Sequence, residues 1–156
     1  MKSVAWTINK KKGTAQSRTY HSNQGWRNVG GRRIYFRSGW EVNFAWWAQF
    51  LKEKKVIKDW EYEPKKFWFE SIKSGVRSYL PDFKIIRNDG THYWVEVKGY
   101  MDSRSQTKIK RFRKYYPEEL LEIKDASWFR EQRRRCPFLV ERWEGAFAEG
   151  DRNEVD

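Results

Sequence analysis

Ser78-Tyr79-Leu80-Pro81-Asp82-Phe83-Lys84-Ile85-Ile86-Arg87-Asn88-Asp89-Gly90-Thr91-His92-Tyr93-Trp94-Val95-Glu96-Val97-Lys98 is the stretch on which the fold turns. Residues 78–86 and 92–97 read as strands, and Asn88-Asp89-Gly90 between them is turn chemistry. The second strand sorts its side chains cleanly. Tyr93, Val95 and Val97 face one way; His92, Trp94, Glu96 and Lys98 face the other. The register of this hairpin decides whether Asp82 and Glu96 meet. A two-residue Asp89-Gly90 turn pairs Asn88 with Thr91 and sets Asp82 opposite Val97, off the face of Glu96. A three-residue loop, Asn88–Gly90, pairs Arg87 with Thr91 and sets Asp82 opposite Glu96, with Gly90 as the left-handed residue. The expectation is the three-residue loop with a bulge at Gly90, or another break, such as one near Pro81, that restores the same parity.

Outward from this hairpin, Arg33–Phe36 reads as a short strand. Ser38 and Glu41 match the N-cap and N3 positions of a capping box. Trp40, Phe44, Trp47 and Leu51 recur at helical spacing, which predicts a helix over 39–55. Trp60–Tyr62 and Phe67–Ser71 read as short strands around Pro64. Thr107–Tyr116 is a basic helix stopped by Pro117, Leu120–Ile123 a further strand, and Ser127–Cys136 and Phe138–Trp143 helical segments. The order is that of a mixed α/β domain. Three regions are expected: a basic N-terminal arm over 1–37, a folded domain over 38–144, and a polar tail over 145–156.

The chain has 156 residues, one domain by length, with 18% aromatic residues including 10 Trp and a formal charge of +12. That aromatic content separates it from a disordered basic tail. No apolar run reaches the length of a membrane span, and Met1–Lys12 holds no apolar stretch of signal-peptide length. The single cysteine, Cys136, excludes an intramolecular disulfide. With two histidines, His21 and His92, and no HExxH, the His-rich zinc hydrolases fall away. The expectation is a cytoplasmic protein, with no membrane partner and a polyanionic one.

The charge is uneven. Residues 1–40 carry nine Lys/Arg and no acid, so the excess sits mostly in the arm, where Arg32, Arg33 and Arg37 are candidate phosphate contacts. The arm reads equally as a phosphate-binding tail and as a solvated end. A second acid-free block, Arg104–Lys114, puts Lys108, Lys110, Arg111, Arg113 and Lys114 on the basic helix. These five are either a solvated helix face or contacts to a nucleic-acid backbone.

Asp82, Glu96 and Lys98 carry the chemistry. Two converging carboxylates form a hard-oxygen site suited to Mg²⁺, and a neighbouring lysine can orient water or steady phosphate charge. Glu-x-Lys by itself is weak, for it also occurs at Glu53/Lys55, Glu63/Lys65 and Glu122/Lys124, whereas Pro-Asp occurs once. The plain alternative is an ordinary cross-strand charge cluster on a solvated face.

Pro81-Asp82 with Glu96-Val97-Lys98-Gly99 resembles the PD-(D/E)xK nuclease superfamily. With Arg37-Ser38-Gly39-Trp40-Glu41, Tyr62-Glu63-Pro64, Tyr79–Phe83 and Tyr100 added, residues 30–125 look more narrowly like small phage-encoded endonucleases, similar to Holliday-junction resolvases and to the nuclease subunit of Tn7-like transposases. The resemblance implies an α/β, restriction-endonuclease-like core: a mixed four-stranded sheet flanked by helices. It implies that Asp82, Glu96 and the Val97 carbonyl bind Mg²⁺ or Mn²⁺, that Lys98 is catalytic, and that Glu41 matches a helix glutamate that joins the metal. Read without it, Glu41 only completes the cap with Ser38, and Glu63 is structural. The function so implied is metal-dependent DNA endonuclease activity on branched or nicked DNA, in a setting that includes a phage-infected bacterial cytoplasm. A homodimer accords with junction resolution, although no dimer interface is legible. The alternative function is a non-catalytic, basic nucleic-acid-binding module. RecB-like exonucleases are disfavoured, because Gln106 is followed four residues later by Lys110 where their signature has tyrosine.

Overall fold

Gly39–Glu53 forms the first helix, α1, started by Ser38, whose side-chain oxygen accepts the Glu41 N–H at 3.2 Å. The structure is a computed structural model and describes residues 23–145. The part of the arm before residue 23 and the tail after 145 lie outside the described residues.

Ahead of α1, strands β1 (Gly25–Val29) and β2 (Arg32–Phe36) form an antiparallel hairpin across Gly30-Gly31. Both glycines have positive φ, 59° and 77°, which suits a two-residue hairpin turn. The sequence reading does not anticipate β1. Its signal is the Gly-Gly pair between two alternating segments, which charged Arg27, Arg32 and Arg33 obscure. Residues 25–36 of the expected arm are therefore a hairpin packed on α1.

The central sheet has four strands, β3 (Asp59–Tyr62), β6 (Phe83–Ile86), β7 (His92–Val97) and β8 (Leu121–Lys124), in the order β3-β6-β7-β8. β3/β6 and β6/β7 pair antiparallel; β7/β8 is parallel, bridged by helix α2 (Ser103–Tyr115). α2 begins four residues before its expected start because Asp102 caps it, accepting the Ser105 N–H at 2.7 Å. Helix α3 (Ala126–Arg135) and a 3-10 turn over Pro137–Arg142 complete the described chain. Among the described residues no helix is long and apolar enough to cross a membrane.

The strand expected over 78–86 is two. β5 (Ser78–Tyr79) pairs with β4 (Phe67–Trp68) in a separate ladder, and β6 starts at Phe83. Pro81 stands at the break because it has no N–H to give the ladder.

The sheet divides two apolar clusters. On one face α1, α3 and the β1–β2 hairpin pack with Phe83, Ile85, Val95 and Val97; Phe44 meets Phe83 at 4.6 Å. On the other, α2 and the β4–β5 ladder enclose Phe67, Tyr79, Trp94, Ile109, Phe112 and Leu121. The parity of β7 produces this division, since Val95 and Trp94 point into different clusters.

Candidate active site

The site is built by the β6–β7 hairpin. Ile86 pairs with His92 and Phe83 with Val95. Arg87 N–H bonds the Thr91 carbonyl at 2.8 Å, and Gly90 N–H bonds the Arg87 carbonyl at 3.0 Å. The loop is therefore the three-residue Asn88–Gly90, with Gly90 at φ 86°. Asp89 braces it by accepting the Thr91 N–H at 2.9 Å and hydroxyl at 2.6 Å. Continued by one pair, this register sets Asp82 opposite Glu96, on one face.

The regular ladder stops just before Asp82, and the Asp82 carboxylate accepts the Val97 N–H at 2.7 Å. The Asp82 carbonyl accepts the Glu63 N–H at 2.8 Å. Asp82 thus bridges the ends of β3 and β7 at the point where proline has interrupted β6. It retains some accessible surface, while Glu96 is buried.

Packing pushes both carboxyls up. The Asp82 pKa lies well above its ordinary value because of burial, then the charges of Glu96, Glu41 and Glu63, against the Val97 N–H. Burial also raises Glu96, against the Tyr79 hydroxyl and the charges of Lys98 and Lys108. Glu63 rises too, through burial and the Glu41 charge, against Arg37. Four carboxylates therefore share one electrostatic neighbourhood. Among the described residues no three His, Cys, Asp or Glu side chains are closed into a metal-ligating group. Asp82 and Glu96 each keep one carboxylate oxygen free of hydrogen bonds among the described residues.

Glu41 is held by its cap. It accepts from the Arg37 N–H and the Ser38 hydroxyl, each at 3.1 Å, and from the Tyr62 hydroxyl at 2.6 Å. The Ser38 cap is thereby shown, but the Glu41 carboxylate takes the N–H of Arg37, one residue before the cap, and not that of Ser38 as a full capping box would; Glu41 also sits close enough to raise Asp82 and Glu96. Lys98 is half-buried two residues beyond Glu96. Its neighbour Gly99 lies under the Trp40 ring, where an added Cβ would come within 2.9 Å of Cη2.

Two tyrosines complete the site; both lie in the motifs quoted from the sequence, but no role is assigned to either there. The Tyr79 hydroxyl donates to Glu96 Oε2 at 2.7 Å, and the Tyr62 hydroxyl donates to Glu41. Burial and the neighbouring carboxylate push both phenols upward, so they remain donors. Tyr79 stands three residues before Asp82, and only the break at Pro81 lets its side chain meet a glutamate on β7. That contact has no signature in a one-strand reading.

The basic candidates divide. Lys108 is half-buried and its charge reaches Glu96, while Lys110, Arg113 and Lys114 are exposed on α2. Arg111 bonds the Val76 carbonyl. Arg32 bonds Asp59 at 2.6 Å and the Trp60 carbonyl at 2.5 Å. Arg33 is exposed over the Trp26 ring, and Arg37 is exposed beside Glu63 at 3.3 Å. Arg32 and Arg111 thus hold the fold, and the other six face outward or toward the carboxylates. His92 bonds Glu119 at 2.8 Å, which also accepts the Trp94 Nε1–H at 2.7 Å; this clamp stands apart from the carboxylates.

Neither the protein-family models nor the curated proteins compared with this chain give a match.

Proposed function

We propose that the protein is a metal-dependent DNA endonuclease with a restriction-endonuclease-like core of the PD-(D/E)xK kind. The observation that carries this reading is the placement of Asp82 and Glu96 on one face of the hairpin, both carboxyls raised by burial, with Lys98 two residues on. Carboxylates packed together repel each other and lose hydration, and a divalent cation relieves both costs. The donor set fits a hard cation: Asp82 and Glu96, each with an unengaged oxygen, and the Val97 carbonyl would hold Mg²⁺ or Mn²⁺. Such an ion, when bound, acidifies water and offsets charge on a phosphodiester.

The chain's own groups supply the rest. Tyr79 fixes the Glu96 carboxylate through one oxygen and leaves the other without a hydrogen bond among the described residues. The Val97 N–H does the same for Asp82. Lys98 places an ammonium beside the carboxylates, suited to orient the attacking water and to stabilise the developing phosphate charge. Glu41 adds negative charge from the α1 N-terminus. The charges of Lys108 and Arg113 reach Glu96 and Tyr79 respectively, Lys110 and Lys114 are exposed on the same helix, and the four suit the phosphates of a DNA strand.

One observation favours the second reading, a non-catalytic basic module. Glu41 is engaged by its cap, and no three-ligand group is closed among the described residues. A cleavage panel decides between them: four-way junction, flap, nicked duplex, plain duplex and single strand, each with Mg²⁺, Mn²⁺, Ca²⁺ or EDTA. The nuclease reading expects cleavage in Mg²⁺ or Mn²⁺, binding without turnover in Ca²⁺, and loss of cleavage with retained binding in Asp82→Ala. Binding with no cleavage in any metal establishes the module, and cleavage in EDTA refutes the metal site.

A further inference from the structure

We propose that the outer face of the β1–β2 hairpin is a stacking surface for unpaired bases of a DNA strand led to the Asp82–Glu96 site. This rests on the nucleic-acid half of the preceding reading and not on cleavage.

The hairpin alternates strictly. Val29, Ile34 and Phe36 face α1, while Trp26, Asn28, Arg33 and Tyr35 face outward. Trp26 is 57% exposed and Tyr35 44%, in a chain whose Trp60 and Trp94 are fully enclosed. The two rings are cross-strand partners, edge to face at 5.5 Å. The Arg33 guanidinium lies 5.0 Å from the Trp26 centroid. Solvent-exposed Trp, Tyr and Arg together form the composition of a recognition surface rather than of a solvated strand.

Charge selects the occupant. The arginines on the inner side are neutralised, Arg27 by Glu144 at 2.5 Å and Arg32 by Asp59 at 2.6 Å. The outer face carries no acid, and among the described residues no carboxylate pairs with Arg33. An aromatic pair under an unneutralised guanidinium suits a polyanion that presents flat rings, which is a nucleic-acid strand with its bases exposed. Paired duplex hides its base faces within the stack and cannot use such rings, so the surface favours single-stranded or branched DNA.

Position links the face to the site. Trp26 and Tyr35 are one pair from the open end of the hairpin, Gly25 and Phe36. From there the chain runs through Arg37, whose N–H bonds Glu41. On the inner side Phe36 packs on Tyr62 at 4.8 Å, and Tyr62 bonds Glu41. Tyr35 therefore stands three residues, about 10 Å of extended chain, from the Ser38 cap, and Trp26 is its cross-strand partner. The Glu41 charge in turn reaches Asp82 and Glu96, which connects this end of the hairpin to the site.

The test is fluorescence anisotropy of the full chain in EDTA, with labelled single strand, flap and blunt duplex. 2-Aminopurine in the single strand reports stacking by quenching. Trp26→Ala should weaken single-strand and flap binding about tenfold or more, abolish the quenching, and change duplex binding far less. Trp26→Phe should recover most of the loss, because it keeps a ring. Equal losses on all three DNAs, or no loss, overturn the proposal, as does a change in sedimentation of the DNA-free protein without a change in DNA binding, which assigns the face to a second copy. Absence of cleavage in the metal panel leaves these binding outcomes standing, so the two readings fail separately.

Discussion

Asp82 shows how one residue gathers several constraints. Its predecessor is a proline that cannot continue the ladder, and its own carboxylate takes the Val97 N–H. Burial and three glutamates, Glu96, Glu41 and Glu63, hold its proton on in the folded state to a pH well above the ordinary 3.8. In the unfolded chain the group ionises near that ordinary value. Between the two, the folded state binds more protons, so metal-free protein loses stability as pH rises from about 4 through the folded pKa. Asp82→Asn should remove that contribution. In EDTA its melting temperature should exceed the wild-type value near pH 7, by roughly 2–4 °C per kcal/mol gained, and the gap should narrow toward pH 4. Parallel curves for the two proteins would refute the assignment. Mg²⁺ should then raise the wild-type melting temperature and leave the variant nearly unmoved. Gly99 poses a steric constraint instead. Gly99→Ala forces the Trp40 ring aside and should cost about 1–3 kcal/mol in urea titrations.

At the scale of elements, the α1 N-terminus and the β6–β7 hairpin were legible because both rest on local chemistry. Ser38 and Glu41 announce a cap, and Asn88-Asp89-Gly90 admits only two simple registers, of which one unites Asp82 with Glu96. A break near Pro81 was open as an alternative and Phe67–Ser71 reads as a strand, but the division of 78–86 into two strands and the pairing of β5 with β4 were not legible. Two-residue strands have no period to detect, and the Tyr79–Glu96 bond is a contact between elements 17 residues apart in sequence. The Ser38 cap and the Glu41 contacts predict their own experiment. Ser38→Ala should cost about 1 kcal/mol, whereas Tyr62→Phe, which deletes the other hydroxyl on Glu41, should cost about 0.5–1.5 kcal/mol. If Glu41 serves the carboxylate site as well as the cap, both variants shift the Mg²⁺ concentration needed for half-maximal cleavage. A purely structural Glu41 leaves that midpoint fixed while stability falls.

For the whole molecule, charge is the property that the sequence states most directly and that folding redistributes. Lys2, Lys10, Lys11, Lys12 and Arg18 precede the described residues with no acid among them. Deleting residues 1–22 should weaken DNA binding and flatten the plot of log affinity against log salt by about 0.9 for each phosphate that the shortened chain no longer neutralises. An unchanged slope would mark that segment as a bystander. By contrast, Arg32 and Arg111 look in sequence like their basic neighbours. Only tertiary structure reveals that they hold a carboxylate and a carbonyl, and their removal should show first in stability.

The two apolar clusters on either side of the sheet have a consequence for how the molecule comes apart. Glu96 lies on a strand shared by both, but the hydroxyl that steers it belongs to Tyr79, in the cluster built from α2 and a ladder of two-residue strands. Short strands with few ladder bonds exchange their amides soonest. Amide exchange should therefore find the β4–β5 backbone opening while β6 and β7 stay protected. Each such opening releases Glu96 from its guide, so the geometry of the carboxylate pair melts before the chain that carries it.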